Sequence, residues 1–336
     1  MAICLGGRQM VLERDLHHLA WILVDLKKRQ FRHLGVMACV IDAFVLPCLK
    51  LKMRRCSVAA GSYHTCAITV GGQLSIFGDT FREYTDYGQR SVPCGLGRVL
   101  SVSAGNCHTC AVKANGELVC FGHDYAGQCR SPSDLGPVLA VSAGRDHTCA
   151  IRVGGELVCF GGNRYGQCDI PPNLGPVVAV AAGMHHTCAI KADGQLVCFG
   201  DNEYGQCGVP AELRGAVAVA AGAFHTCVIT ADGSLWCFGL RDDGQCEVPK
   251  KLGRAKAVAA GALHTCVLLS SGRLTCFGSN LYGQCAVPRN LGPVVAVAAG
   301  ESMTCAVTED SRLVCFGRHK HGQCNVPSDL GPVHVR

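Results

Sequence analysis

The chain has 336 residues, 49% of them hydrophobic and 17% charged, a globular balance with room for one large domain or two small ones. Its net charge of +6 resides in residues 1–55, which carry ten Lys/Arg against four Asp/Glu and leave 21 of each in the rest. A neutral body gives no electrostatic case for binding a nucleic-acid backbone, a local patch apart.

Residues 1–54 stand outside the pattern of the rest. "LERDLHHLAWILVDLKKRQFR" (12–32) fits a helix with Leu16, Leu19, Ile22, Leu23 and Leu26 along one side. "LGVMACVIDAFVLPCLKL" (34–51) is apolar with basic flanks. Its Asp42 and Pro47, and a length short of the about 20 residues a spanning helix needs, argue against a transmembrane segment. No charged start precedes an early apolar core, which argues against a secretory leader. The expectation is a basic, apolar extension, helical and packed on the rest of the chain or on another chain, or else poorly ordered. Membrane contact by 34–51 stays open.

From residue 55 the chain repeats. "HTC" begins at His64, His108, His147, His186, His225 and His264, and a seventh copy reads "MTC" from Met303. The first step is longer than the others because of an insertion in "DTFREYTDY" (79–87). "FG" follows each copy, then "GQ", then a proline, from Pro93 to Pro327. Each unit reads as strands. In the fourth, "VVAVAAG" (177–183) is a short apolar run, and "HTCAIK" and "QLVCF" flank the three-residue loop "ADG", a common hairpin connection with glycine in the left-handed position. "GQCGVP" reads as a short edge strand stopped by Pro210. Four short antiparallel strands of about 39 residues, seven times over, predict an all-β seven-bladed propeller over residues 55–336. "LGPVHV" (330–335) restarts the unit and stops, so a C-terminal strand is expected to close the ring on the first blade, competing with residues 55–58 for that slot.

The unit "VVAVAAGxxHTCAIKADGQLVCFGDNEYGQC" resembles the repeat of the regulator of chromosome condensation family. The resemblance covers about residues 56–336 and implies the same propeller. The linker "VPAELRGAV" is also similar to that of the bacterial β-lactamase-inhibitor branch. Two positions depart from the pattern: Phe replaces the usual Trp before the glycine, and the cysteine of "GQC" stands where Leu is common. Some members of the family are exchange factors for small GTPases, and similar repeats occur in HERC-type ubiquitin ligases. The resemblance therefore implies a small GTPase or a ubiquitin-pathway substrate among the partners to consider. The plant UV-B receptor branch uses clustered tryptophans. This chain has only Trp21 and Trp236, so light sensing is not expected.

In the hairpin register that sets Lys191 opposite Gln195, Cys188 faces Cys198. The same register pairs Cys110 with Cys120, Cys149 with Cys159, Cys227 with Cys237, Cys266 with Cys276 and Cys305 with Cys315. Cys66 faces Ile76. That an aliphatic residue fits the site favours small packing thiols. Cross-strand disulfides and zinc sites are the alternatives, and Met303 and Ile76 exclude a metal in every blade. The lone CxxC, "CHTC" (107–110), is weak evidence for metal or redox work. The six histidines read as structural hydrogen bonds.

In a propeller the loops before "HTC" and after "FG" share one face of the disc. That face varies between units, while the opposite face repeats nearly unchanged, which marks a recognition surface. Its candidate partner-binding residues are Tyr63, Tyr84, Tyr87, Tyr125, Arg145, Tyr165, Tyr204, Phe224, Arg241 and Tyr282, of the types favoured as anchors. No catalytic constellation, phosphate-binding glycine loop or HExxH is found, so neither enzymatic activity nor a cofactor is expected. The expected function is a protein-binding platform, with a GTPase exchange factor or a relative or fragment of a HERC-type ligase as alternatives. The expected location is the cytoplasm or nucleus, the alternative being a secreted chain with cross-strand disulfides.

Overall fold

The computed structural model describes residues 57–78 and 86–334. The extension 1–54, with its expected helix and the apolar segment 34–51, and the candidate Tyr84 lie outside these residues. The described residues form seven three-stranded antiparallel sheets, each from strands consecutive in sequence. This is an all-β seven-bladed propeller. No helix among the described residues is long and apolar enough to cross a membrane.

The fourth blade shows the logic. Its strands are Val177–Ala182, His186–Lys191 and Leu196–Gly200. First strands of neighbouring blades lie against one another around the axis, and the crowding there suits their Ala-rich sequence. The middle strand is buried through His186–Ile190, covered on both faces, so its sequence need not alternate apolar with polar. The core lies between blades: Cys188, Ile190 and Leu196 pack with Leu213, Ala216, Val228 and Phe238 of the next unit. The hairpin is the expected three-residue loop. The Lys191 N–H donates to Gln195 O at 2.9 Å, and Gly194 sits at φ 83°. In the seventh unit Ser311 takes this position at φ 64°.

Among the described residues the fourth strand expected in each unit is not formed. In "GQCGVP" the Gly208 N–H donates to Gly205 O and the Val209 N–H to Cys207 O, both turn bonds. Side chains occupy the backbone groups a ladder would use. Gln206 Oε1 accepts from the Tyr204 N–H at 2.9 Å, Asn202 Oδ1 accepts from the Cys207 N–H at 2.8 Å, and the Cys207 thiol donates to Asp201 O at 3.2 Å. Such local side-chain bonds compete with sheet formation, and Pro210 has no N–H to offer.

Closure of the ring also differs from expectation. The C-terminal segment does bond to the first blade: Val333 pairs with Thr69, the Val70 N–H donates to Pro332 O, and the His334 N–H donates to Ile68 O. It does not compete with the N-terminal side. The Ile68 N–H donates to Ser57 O, and Val58–Ala60 pairs with Ala67, Cys66 and Thr65. Residues 332–334 thus bond to the chain at Ile68–Val70, just beyond the part of the same strand that pairs with Val58–Ala60. Val333 is fully buried in the cluster of Val58, Phe77 and Met303. Deleting residues 331–336 should cost about 3 kcal/mol through the lost valine burial and the exposed edge. Denaturant unfolding measures this, and an unchanged midpoint would contradict the closure.

Candidate functional site

Beneath the variable face lies a repeating polar lattice. His186 Nε2 is 3.0 Å from Thr226 Oγ1 of the next unit, and that hydroxyl donates to Gln206 O at 2.8 Å. A hydroxyl has one proton to give, so His186 must donate from Nε2–H. The arrangement recurs from His64, His108, His147, His225 and His264 to the following unit's threonine, at 2.9–3.1 Å. At the seam Met303 stands in for histidine, and its sulfur lies 3.8 Å from Thr65 Oγ1. The histidines therefore bridge blades, each side chain fully buried. Among the described residues no group of three or more His, Cys, Asp or Glu is arranged to hold a metal ion. The glycine of each "AAG" fits because nothing larger would. A Cβ on Gly183 would lie 2.6 Å from Gly222 O and from His186 Nδ1.

The cysteines depart from the all-thiol packing expectation at one unit, where Cys188 and Cys198 form a disulfide. The register places the other five pairs opposite one another as expected, and Cys66 opposite Ile76. Burial pushes the thiols of Cys66 and of the "GQC" cysteines Cys129, Cys168, Cys207, Cys246, Cys285 and Cys324 up to about 12. These are protonated at neutral pH and poor nucleophiles.

On the variable face the backbone is pinned from both sides. In the second to seventh units the residue after "FG" donates to the residue before "HTC" or "MTC", as in Asp201 N–H to His185 O at 2.9 Å, His123 N–H to Cys107 O at 2.8 Å and Leu240 N–H to Phe224 O at 2.9 Å. The glutamine of "GQ" accepts from the residue two before it, as in Tyr87, Tyr165, Tyr204 and Tyr282. Rings held this way lean on the next unit. Tyr87 meets His123 edge-on at 4.5 Å, Tyr165 meets His185 at 4.4 Å and Tyr204 meets Phe224 at 5.2 Å. Burial, with Arg145 adding to it, lowers the pKa of His185, so this imidazole is neutral at pH 7.

Two concavities open on this face. The channel mouth, of about 420 Å³, is bordered by Tyr63, Asn106, Arg145, Met184, Phe224 and Glu301. A groove of about 600 Å³ is lined by Tyr87, His123, Tyr125, Arg145, Tyr165 and His185. Of the candidate residues, the structure gathers Tyr87, Tyr125, Arg145 and Tyr165 in the groove, and Tyr63, Arg145 and Phe224 at the mouth. Tyr125 is 94% exposed, whereas Tyr63 rests on His321 at 5.1 Å. Tyr204 backs Phe224. Tyr282 lies apart beneath Arg318, 5.2 Å from its ring, and Arg241 is exposed and lines neither cavity. His123, His185 and Arg164, which stacks on Tyr165 at 5.8 Å, are absent from the sequence-based candidates. A fixed spacing carried the signal: Tyr165 to His185 and Tyr204 to Phe224 span the same 20 residues as each Thr–Gln bond.

The Regulator of chromosome condensation (RCC1) repeat matches at residues 56–89, 99–128, 138–167, 177–206, 216–245, 255–284 and 294–323. No curated protein matches the chain significantly in sequence. Among solved structures, the ectodomain of the Physcomitrella patens receptor kinase CR4 is 24% identical, covering 78% of this chain and 73% of its own, with a TM-score of 0.65. Prp20p from Saccharomyces cerevisiae, studied for its binding to Gsp1p and histones, is 16% identical over 86% of this chain and 88% of its own, with a TM-score of 0.64. Human WBSCR16 is 19% identical over 76% and 88%, also at 0.64. At these identities the neighbours share the fold. With seven repeat matches in phase over most of the propeller, the chain belongs to the regulator of chromosome condensation (RCC1) repeat family.

Proposed function

We propose that this propeller is a non-enzymatic platform that binds a protein through its variable face, with the groove between Tyr87, Tyr125 and Tyr165 as its contact centre. One observation carries the reading: the loops that differ between units are those that build the groove, and they hold aromatic rings in fixed positions. The Tyr87 and Tyr165 N–H groups are tied to glutamine side chains at 2.8 and 2.9 Å. Rings positioned before the partner arrives lose little freedom on binding. Tyrosine and arginine dominate binding hot spots, and Arg145 and Arg164 flank the three rings. Prp20p, of the same fold, has protein partners in Gsp1p and histones, which supports a protein ligand here.

Affinity capture tests the reading. Tyr125→Ala combined with Tyr87→Ala and Tyr165→Ala should weaken capture of specific partners at least tenfold, about 1.4 kcal/mol or more. Glu156→Ala with Gln195→Ala, in turns of the opposite face, should leave capture unchanged. Equal capture by all variants would refute the groove as the contact centre. The finer alternatives, exchange on a small GTPase or presentation of a ubiquitin-pathway substrate, are separated by a nucleotide-release assay over a GTPase panel. Acceleration by the wild-type chain, lost in the tyrosine variant, would favour exchange.

A further inference from the structure

We propose that the six cross-strand cysteine pairs are redox sites, each a dithiol that a thiol–disulfide oxidant converts to a hairpin-closing disulfide. The pairs are Cys110–Cys120, Cys149–Cys159, Cys188–Cys198, Cys227–Cys237, Cys266–Cys276 and Cys305–Cys315. This goes beyond the binding function and is independent of it.

The backbone register carries the argument. The Lys191 N–H donates to Gln195 O, which makes Lys191–Gln195 a hydrogen-bonded pair. Hydrogen-bonded and non-hydrogen-bonded pairs alternate along antiparallel strands. Cys188–Cys198, three steps on, is therefore a non-hydrogen-bonded pair, the class in which opposing side chains stand closest. The same bond recurs at Lys113–Glu117, Arg152–Glu156, Thr230–Ser234, Leu269–Arg273 and Thr308–Arg312, so all six pairs occupy equivalent positions. In the fourth unit the bond exists. In the third and fifth the two sulfurs are 2.6 Å apart, and in the sixth 3.0 Å, inside the roughly 3.5–4.0 Å of ordinary non-bonded packing.

Of the remaining described cysteines, the six of "GQC" and Cys66 are engaged otherwise, while Cys94 is exposed and Cys107 is buried beside Cys110 in "CHTC". Each "GQC" thiol donates to a backbone carbonyl six residues upstream at 3.2–3.5 Å, which leaves the cross-strand pair as the facing cysteines of each of these units. Cys66 faces Ile76 and has no cross-strand sulfur.

The chemistry balances as exchange. A thiolate of the pair attacks an oxidised low-molecular-weight disulfide and forms a mixed disulfide, releasing one thiol. The second cysteine attacks this mixed disulfide, the cross-strand S–S bond forms, and a second thiol leaves. The pair loses two electrons and two protons, and the oxidant gains them. Exchange needs a thiolate and access. The first cysteine of every pair is fully buried, so oxidation proceeds while the blades assemble. This selects the oxidising compartment, the second of the two locations the sequence leaves open.

The test is a thiol count on the full chain. Reduced, denatured chain is refolded in buffer containing oxidised and reduced glutathione, acid-quenched, denatured, alkylated and weighed. The alkylated count should fall from 25 by twelve, and peptide mapping should find links at the six named pairs. The double variant Cys149→Ser, Cys159→Ser, checked for its β-sheet spectrum, should lose two fewer. The proposal falls if every thiol stays alkylated, if the named links appear in half of the six units or fewer, or if links join "GQC" cysteines instead.

Discussion

Gly183→Ala is expected to destabilise the propeller by about 3 kcal/mol, the upper part of the range for overpacking a tight site. The new methyl would lie 2.6 Å from Gly222 O of the neighbouring blade and from His186 Nδ1. The carbonyl belongs to the rigid collar around the axis, so the imidazole must yield, and its bond to Thr226 Oγ1 at 3.0 Å goes with it. Gly205→Ala is the control. Unlike Gly183 it sits at a positive φ, 81°, and a Cβ there meets nothing within 4 Å. Backbone strain alone should cost about 1 kcal/mol. Urea unfolding of both variants distinguishes the two costs. Equal midpoints would show that the collar is not tightly packed.

Acidification should weaken the fold well before the carboxylates titrate. Burial, with a smaller contribution from neighbouring charges, lowers His64 and His186 from 6.5 to about 3. Above pH 6.5 both are neutral in the folded and unfolded chain, and their contribution is intact. Between pH 6.5 and 3 the unfolded chain takes up protons that the folded chain refuses, so stability falls as pH falls. At about 1.4 kcal/mol per unit, moving from pH 7 to pH 5 should cost about 2 kcal/mol per histidine, or about 4 kcal/mol for the two. Denaturant midpoints across this range measure the loss. His186→Gln should flatten the slope by the share of one group, and a wild-type midpoint unchanged between pH 7 and 5 would contradict neutral, buried imidazoles.

Much of the architecture is legible because its causes are local. The Lys191–Gln195 hairpin needs only Ala-Asp-Gly between two apolar runs, and a hairpin determines which residues face each other. Cys188 opposite Cys198 therefore follows by counting along the chain, and recurrence in phase turns one hairpin into a propeller. The misread fourth strand has a local cause too: "GQCGVP" has strand-like composition, but Gln206, Asn202 and Cys207 bind the backbone it would have paired with.

What the sequence alone determined is the number of blades, the three strands that form in each and their hairpin registers, and which face varies. Those depend on residues a few positions apart, where chain geometry leaves little choice. Tertiary structure alone decided the rest. The threonine partner of each histidine stands in the next unit, 40 residues on, or 45 from His64. Val333 and Ser57 bond to neighbouring residues of one strand, Thr69 and Ile68, because the ring closes, and Tyr87, Tyr125, Arg145 and Tyr165 share a groove because units one to three lie side by side. Such contacts join residues that no local periodicity connects, and they exist only once the blades pack around a common axis.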